Sequence, residues 1–187
     1  PLLAKAPLEC HLLHVPIFVH RQWVRHRYGA WSELPVDFDA VAKDNDFYIP
    51  RQFRKQVGKA MSYTYEDLMG GQNERVREDL RLLTLRNALR YQELRKIGIP
   101  PGDAATVLPY TFRIPILWSV NIESLMNFFS LRCDTHAQWE IRQYADTIYR
   151  WFRDRYPKLN ALFLDNINYG SSEIFNLPQP LLIKEGK

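Results

Sequence analysis

A chain of 187 residues, 46% apolar and 13% aromatic, has the size of one ordinary domain and enough core-forming side chains to exclude a disordered protein. Its net charge of +4, from 25 basic and 21 acidic residues mixed along the sequence, suits anionic small molecules. It lacks the clustered basic face that a nucleic-acid polymer would require. No apolar run approaches the ~20 residues of a membrane span, and no signal peptide is visible, so a cytoplasmic protein without a membrane partner is expected.

Leu8 to Val15 alternates loosely and predicts a strand. Pro16 suits the first turn of a helix, and the segment Ile17 to Arg27 runs on without a breaker, with Gly29 as its stop. On such a helix Gln22, Arg25 and His26 share a face at i, i+3 and i+4. Residues 28 to 50, with Pro35, several acids and Pro50, read as a functional or mobile loop. Residues 74 to 97 predict a long amphipathic helix with Leu82, Leu85 and Leu89 as its stripe, stopped by Gly98 and Pro100-Pro101. A short helix over Asp103 to Leu108 precedes Pro109. Tyr110 to Val120 predicts a buried strand, with Pro115 arguing for an edge or a bend.

Asn121 to Leu131 predicts a helix with Ile122, Leu125, Met126 and Phe129 at core spacing. A longer helix follows over Ala137 to Tyr156, with Ile141, Ala145, Ile148 and Phe152 on its stripe and Pro157 as its end. Leu159 to Leu164 forms one more short helix, and the tail from Ser171 carries few signals. The expected fold class is α/β (α+β), a single domain over residues 1–187 with a central sheet flanked by helices.

Two groups of polar side chains stand out. Arg25-His26-Arg27 puts two guanidinium groups around an imidazole, with His20, Arg21 and Gln22 one turn earlier. A phosphate or pyrophosphate would gain from that set, because Arg presents a planar fork of donors to phosphate oxygens. A plain helix C-terminus also favours basic residues through the dipole. The second group, Asn121, Asn127, Arg132 and His136, lies about ninety residues on; Asn121 suits a helix N-cap as well as a ligand. The five histidines have no carboxylate partners at metal spacing, so no metal site is expected. Cys10 and Cys133 fit no CxxC or zinc pattern and read as two reduced thiols, although Arg132 beside Cys133 could lower its pKa. No GxSxG, Walker loop or GxGxxG is present.

Taken together, several stretches resemble the flavin-dependent thymidylate synthases (ThyX) in the right order. They are Pro16-Ile-Phe-Val-His-Arg-Gln-Trp-Val-Arg-His-Arg27, Phe47-Tyr-Ile-Pro50, Gly98-Ile-Pro100, Leu108-Pro109, Trp118-Ser-Val-Asn121, Ser124-Leu-Met-Asn-Phe128, Leu131-Arg132 and His136-Ala-Gln-Trp-Glu-Ile-Arg142. The resemblance implies a ThyX-like α/β domain assembled as a homotetramer with shared active sites and FAD between subunits. It implies methylene-tetrahydrofolate as one-carbon donor, NADPH as reductant, and C5 of a uridylate as acceptor. Carried over residue by residue, Arg25, His26, Arg27, Asn121, Asn127, Leu131 and His136 would meet the FAD. Gln22, Arg25, Glu33 and Leu34 would meet the nucleotide. Arg132 would be the catalytic group, holding the uracil and stabilising negative charge as N3 ionises.

The chain departs from that family where the nucleotide phosphate would sit. Pro35 stands where the family carries a Ser, Asp37-Phe38 where it carries Arg-Tyr, and Ala105 where it carries an Arg. Arg21 and Arg113 are the nearest substitute cations in sequence. The resemblance therefore implies a methylase of dUMP, of UMP, or of another uridine derivative as in nucleoside-antibiotic pathways. The alternatives are a non-catalytic FAD-binding homologue with a decayed nucleotide site and, from a third class, a nucleic-acid-binding module.

Overall fold

The computed structural model describes residues 7–59 and 62–166, a mixture of helices and strands in which the chain divides into two compact units. The first unit comprises Pro1–Val15, Val19–Leu34 and Pro115–Lys187, and the second Pro16–Phe18 and Pro35–Ile114.

The sheet of the first unit has the order β1-β5-β2. Its strands are β1 (Pro7–Pro16), β2 (Gly29–Glu33) and β5 (Arg113–Asn121). β5 alternates buried Ile114, Ile116, Trp118 and Val120 with half-buried neighbours, the period-2 pattern of a pleated strand. It is the central strand, contrary to the edge or bend that Pro115 predicts. The β2 ladder explains why: it runs antiparallel from Gly29 opposite Val120 to Glu33 opposite Ile116, so Pro115 lies just past it. Pro115 contributes only its carbonyl there, which accepts from the Leu34 amide at 3.0 Å. β2 opens on glycine for a steric reason. A Cβ on Gly29 would stand 2.6 Å from Trp118 Nε1 and 3.2 Å from the Ser119 carbonyl oxygen.

This unit also carries α1 (Ile17–Trp23) from Val19 onward, α5 (Ile122–Arg132), α6 (Trp139–Arg155) and α7 (Pro157–Asn166). The α6 stripe is buried as its spacing predicts, at Ile141, Ala145, Ile148 and Phe152, and it also buries Asp146. The core is aromatic. Trp23 stacks on Phe128 at 5.0 Å between centroids and meets Trp118 edge-on at 5.2 Å, while Trp31 stacks on Trp118 at 5.1 Å. Phe129 gathers Tyr149, Phe152 and Phe163 on the other side of α5.

The second unit contains α2 (Phe38–Asp44), the hairpin of β3 (Arg54–Lys59) and β4 (Ser62–Asp67), α3 (Gln72–Lys96), α4 (Pro101–Ala104) and a 3-10 turn over Ala105–Val107. The long loop expected over residues 28 to 50 is thus replaced by β2 and α2. Asp37 creates the latter: its Oδ1 accepts from the Ala40 amide at 3.0 Å, an N-cap that satisfies one of the helix's orphan donors. Asp39 then binds α2 to α3, accepting from Tyr91 Oη at 2.8 Å and Arg95 Nε at 3.0 Å.

The core of this unit is Val41, Ala42, Phe47, Ala88, Tyr91, Ala104 and Leu108. On α3 it takes up Thr84, Ala88 and Tyr91, whereas the predicted stripe of Leu82, Leu85 and Leu89 is about half exposed. Those leucines, with Arg86, Asn87, Arg90 and Glu93, line an open surface groove of about 560 Å³. The tail from Ser171 lies outside the described residues, among which no helix is long and apolar enough to cross a membrane.

Candidate functional site

Helix α1 spans Ile17–Trp23, so Arg25-His26-Arg27 is not on a helix face as the unbroken sequence predicts. The last turn tightens instead. The Arg25 amide bonds the Gln22 carbonyl at 3.4 Å and the His26 amide the Trp23 carbonyl at 3.0 Å, both three-residue closures. Trp23 is wholly buried among Phe128, Trp118 and Trp31, while Arg25 and Arg27 are exposed. The turn lets the indole stay in the core and the two guanidinium groups face out.

His26 points inward, and this turn and the end of α5 meet at its ring. It packs edge-on against Phe128 at 5.0 Å and accepts a hydrogen bond at Nε2 from Arg132 Nε, at 2.9 Å. Accepting there requires the lone pair on Nε2, which places the imidazole proton on Nδ1. Burial, and secondarily the Arg132 charge, push the His26 pKa down to about 4. Since that lies below the usual ~6.5 for imidazole, the ring is neutral throughout the near-neutral range. A proton NMR titration should show no His26 transition between about pH 5 and 8. A transition near 6.5 would mean that Arg132 does not donate to this ring. Burial also lowers the pKa of the half-buried Arg132 guanidinium.

Two further contacts join distant parts of the sequence. Gln22 Nε2 donates to Gln138 Oε1, linking α1 to the residue before α6. Glu33, at the end of β2, stands 3.4 Å from Nδ1 of buried His20. Burial lowers the pKa of His20, and the Glu33 carboxylate pulls it back up. Leu34 follows at the sheet's end, its amide bonded to Pro115.

On α5, Asn121 is the N-cap. Its Oδ1 accepts from the Ser124 amide at 2.8 Å, one of the two roles its sequence position allows. Asn127 and Leu131 are exposed along the same helix. His136 is almost fully exposed and is held by Asp134 Oδ1, which takes its backbone amide at 2.7 Å and meets its Nδ1 at 2.8 Å. Sequence reading placed His20 in the polar cluster before Arg25 but did not single out Asp134 or Gln138; Asp134, two residues before a histidine, carried a local signal, an Asx-type turn.

Neither cysteine is set up as a nucleophile. Burial pushes the Cys10 thiol up to about 11 and Cys133 well above its usual range, with the Asp146 carboxylate adding to the latter. Despite its neighbour Arg132, Cys133 is a buried neutral thiol. Of the two candidate substitute cations, Arg113 is paired with Asp46 in the second unit, and Arg21 is exposed on the last turn of α1. Among the described residues no cluster of His, Cys, Asp and Glu has a metal-binding arrangement.

Comparison with known proteins accords with this architecture. A flavin-dependent thymidylate synthase of Thermosipho africanus is 40% identical over 154 residues, covering 80% of this chain and 64% of that protein. One from Thermotoga neapolitana is 37% identical over 149 residues, covering 80% and 63%. The chain thus spans slightly less than two thirds of the length of these relatives. In fold it resembles the UMP/dUMP methylase PolB from Streptomyces cacaoi bound with 5-Br UMP. The TM-score is 0.70 at 24% identity, over 84% of this chain and 74% of that one. The family model described as thymidylate synthase complementing protein matches residues 3–158, nearly the whole described structure and every side chain of the site above, and the chain belongs to that family.

Proposed function

We propose that this chain, acting as one domain over residues 1–187, is an FAD-dependent enzyme that reductively methylates C5 of the uracil ring of a uridylate. Methylene-tetrahydrofolate supplies the carbon and NADPH the reducing equivalents. The observation that carries the reading is the guanidinium of Arg132, half-buried and aimed by a neutral His26. A fixed cation of this kind lowers the cost of an imide anion at N3 of uracil, and that anion makes C5 more nucleophilic. No cysteine has to attack the ring, in keeping with the buried, neutral Cys133.

The residues fit a flavin dinucleotide by donor chemistry. Arg25 and Arg27 are exposed and have no carboxylate partner among the described residues, the state in which guanidinium forks serve a pyrophosphate. Asn121 retains its amide N–H groups after capping α5, Asn127 and Leu131 are exposed four residues apart on one face of that helix, and His136 is exposed beyond its end. FAD, when bound, would carry reducing equivalents from NADPH to the one-carbon unit. Assembly as a cytoplasmic homotetramer, with FAD shared between subunits, belongs to the same proposal. Gln22, Arg25, Glu33 and Leu34 would line the nucleotide beside Arg132.

The substrate follows from the missing phosphate contacts. Asp37 is committed to capping α2, so it is no free anion waiting for a cation, and it brings no donor either. Each charge-assisted bond lost to a phosphate is worth about 1.5–3 kcal/mol, so dUMP in the family's usual pose should be held weakly. Steady-state kinetics with both nucleotides are expected to show UMP turned over as fast as dUMP or faster. Selectivity for dUMP of a hundredfold or more, about 2.7 kcal/mol, would show that the altered loop is neutral and that dUMP is the substrate. A yellow protein inert on both would be the non-catalytic FAD-binding homologue, and a colourless one that takes up no flavin would end the flavin reading.

A further inference from the structure

The end of α5 is held by a group that the uridylate site does not itself use. Arg132 is the last residue of α5 and Cys133 its C-cap, with the Cys133 amide bonded to the Phe129 carbonyl at 2.9 Å. Behind Cys133 lies Asp146 of α6, only 4% exposed. Among the described residues neither carboxylate oxygen of Asp146 has an N–H or O–H partner; the Cys133 thiol, a weak donor, faces it. Arg142 stands one turn earlier on α6, so the two share a face. It reaches the same turn at a second point, donating from Nη1 to the Thr135 carbonyl at 3.3 Å, while its Nε is buried without a partner. Between those points the turn carries Asp134, which takes the His136 amide, and whose own carbonyl takes the Ala137 amide at 3.0 Å.

We propose that Asp146, together with Arg142, is a positioning residue: the pair braces the Cys133–Ala137 turn from α6 and thereby sets the aim of Arg132 and the place of His136. The proposal deepens the uridylate site and rests on that reading. Its argument is one of cost. A carboxylate buried without strong donors is an expensive occupant of a helix-packing position that an aliphatic side chain would fill without penalty. What the acid adds is a fixed charge against Arg142, whose guanidinium fixes the Thr135 carbonyl. Burial raises the Asp146 pKa to about 6, with the Cys133 thiol, Arg142 and Arg150 pulling it back down. The titratable groups that act on it are Cys133 from the end of α5 and Arg142 and Arg150 from α6.

The sign of the linkage separates a brace from an ordinary core residue. An acid whose folded pKa is raised favours the protonated folded form, so its cost is absent below the unfolded pKa near ~3.9 and fully present once pH exceeds about 6. Asp146→Asn removes that cost while preserving volume. It is therefore expected to melt at a higher temperature than the wild type at pH 8 and at the same temperature near pH 4. Local order should change in the opposite direction. Amide exchange at Cys133, His136 and Ala137 should accelerate about tenfold, roughly 1.4 kcal/mol, with α6 unaffected. Uridylate binding at pH 8 should weaken by a similar factor with FAD retained.

A more stable variant with unchanged exchange in this turn would overturn the proposal, leaving Asp146 a mere buried charge. So would a variant that is less stable and exchanges faster everywhere. If the turn loosens as expected but wild-type protein takes up neither flavin nor UMP or dUMP, the brace stands and the functional reading falls.

Discussion

Arg132→Ala is expected to lower kcat/KM for uridylate methylation by roughly 10²–10³ while leaving the flavin spectrum of the purified protein intact. The magnitude is that of removing one preorganised donor aimed at charge that develops in the transition state. The dissociation of the two readouts follows from the layout. Arg25 and Arg27 lie exposed on the turn after α1, whereas Arg132 sits half-buried at the end of α5 with its Nε donated to His26. Arg132→Lys should recover a minor part of the rate, because an ammonium keeps the charge but lacks the planar fork. Near-normal turnover by the alanine variant would remove Arg132 from the mechanism. The same variant should move His26 as well: without the neighbouring charge that depresses it, the imidazole should titrate at higher pH than in the wild type.

The second large effect concerns stability. Trp23→Ala is expected to cost ~3–5 kcal/mol, as large aromatic truncations in packed cores do, against a total that is typically ~5–15 kcal/mol. Trp23 is fully buried and touches Phe128, Trp118, Trp31 and Tyr144 at 5.0 to 5.9 Å between ring centroids. Denaturant titration should show a lower midpoint with an unchanged slope. Trp151→Ala is the control. That ring is 40% exposed and among the described residues makes one ring contact, with Tyr156, so its removal should cost about 1 kcal/mol or less. Equal losses at the two positions would show that the aromatic cluster does not organise the first unit.

Why some of this was legible in the sequence and some was not has a physical answer. The α6 stripe of Ile141, Ala145, Ile148 and Phe152 reads correctly because a helix packed along one side must repeat at its own period. The α3 stripe misleads. On that 25-residue helix the leucines are conspicuous, yet the core takes up Thr84, Ala88 and Tyr91, small or polar-tipped residues that permit close approach and a hydrogen bond to Asp39. The segment from Tyr28 to Pro50 hides a five-residue strand and a seven-residue helix, both too short for periodicity to speak. Asp37 ahead of Phe38 to Val41 was the available cue, a capping acid before a helix. In the site, the residue types of Arg25-His26-Arg27 and of Arg132 could be picked out, but not their pairing. His26 and Arg132 lie 106 positions apart and Gln22 and Gln138 lie 116 apart, so only the sheet and α5 bring them together.

The cap at the start of α5 fixes the polarity of what Asn121 can offer a ligand. With one lone pair of Oδ1 taken by the Ser124 amide and the oxygen turned to the helix start, the group the side chain keeps wholly uncommitted is its NH₂. A ligand group that meets this NH₂ must therefore bring an acceptor, such as a ring carbonyl or a bare ring nitrogen. Aspartate at this position would keep the cap and the helix while facing the same ligand with a lone pair in place of a proton. One side chain thus holds the cap and, in the proposed site, would hold a recognition task that chemistry can pull apart from it.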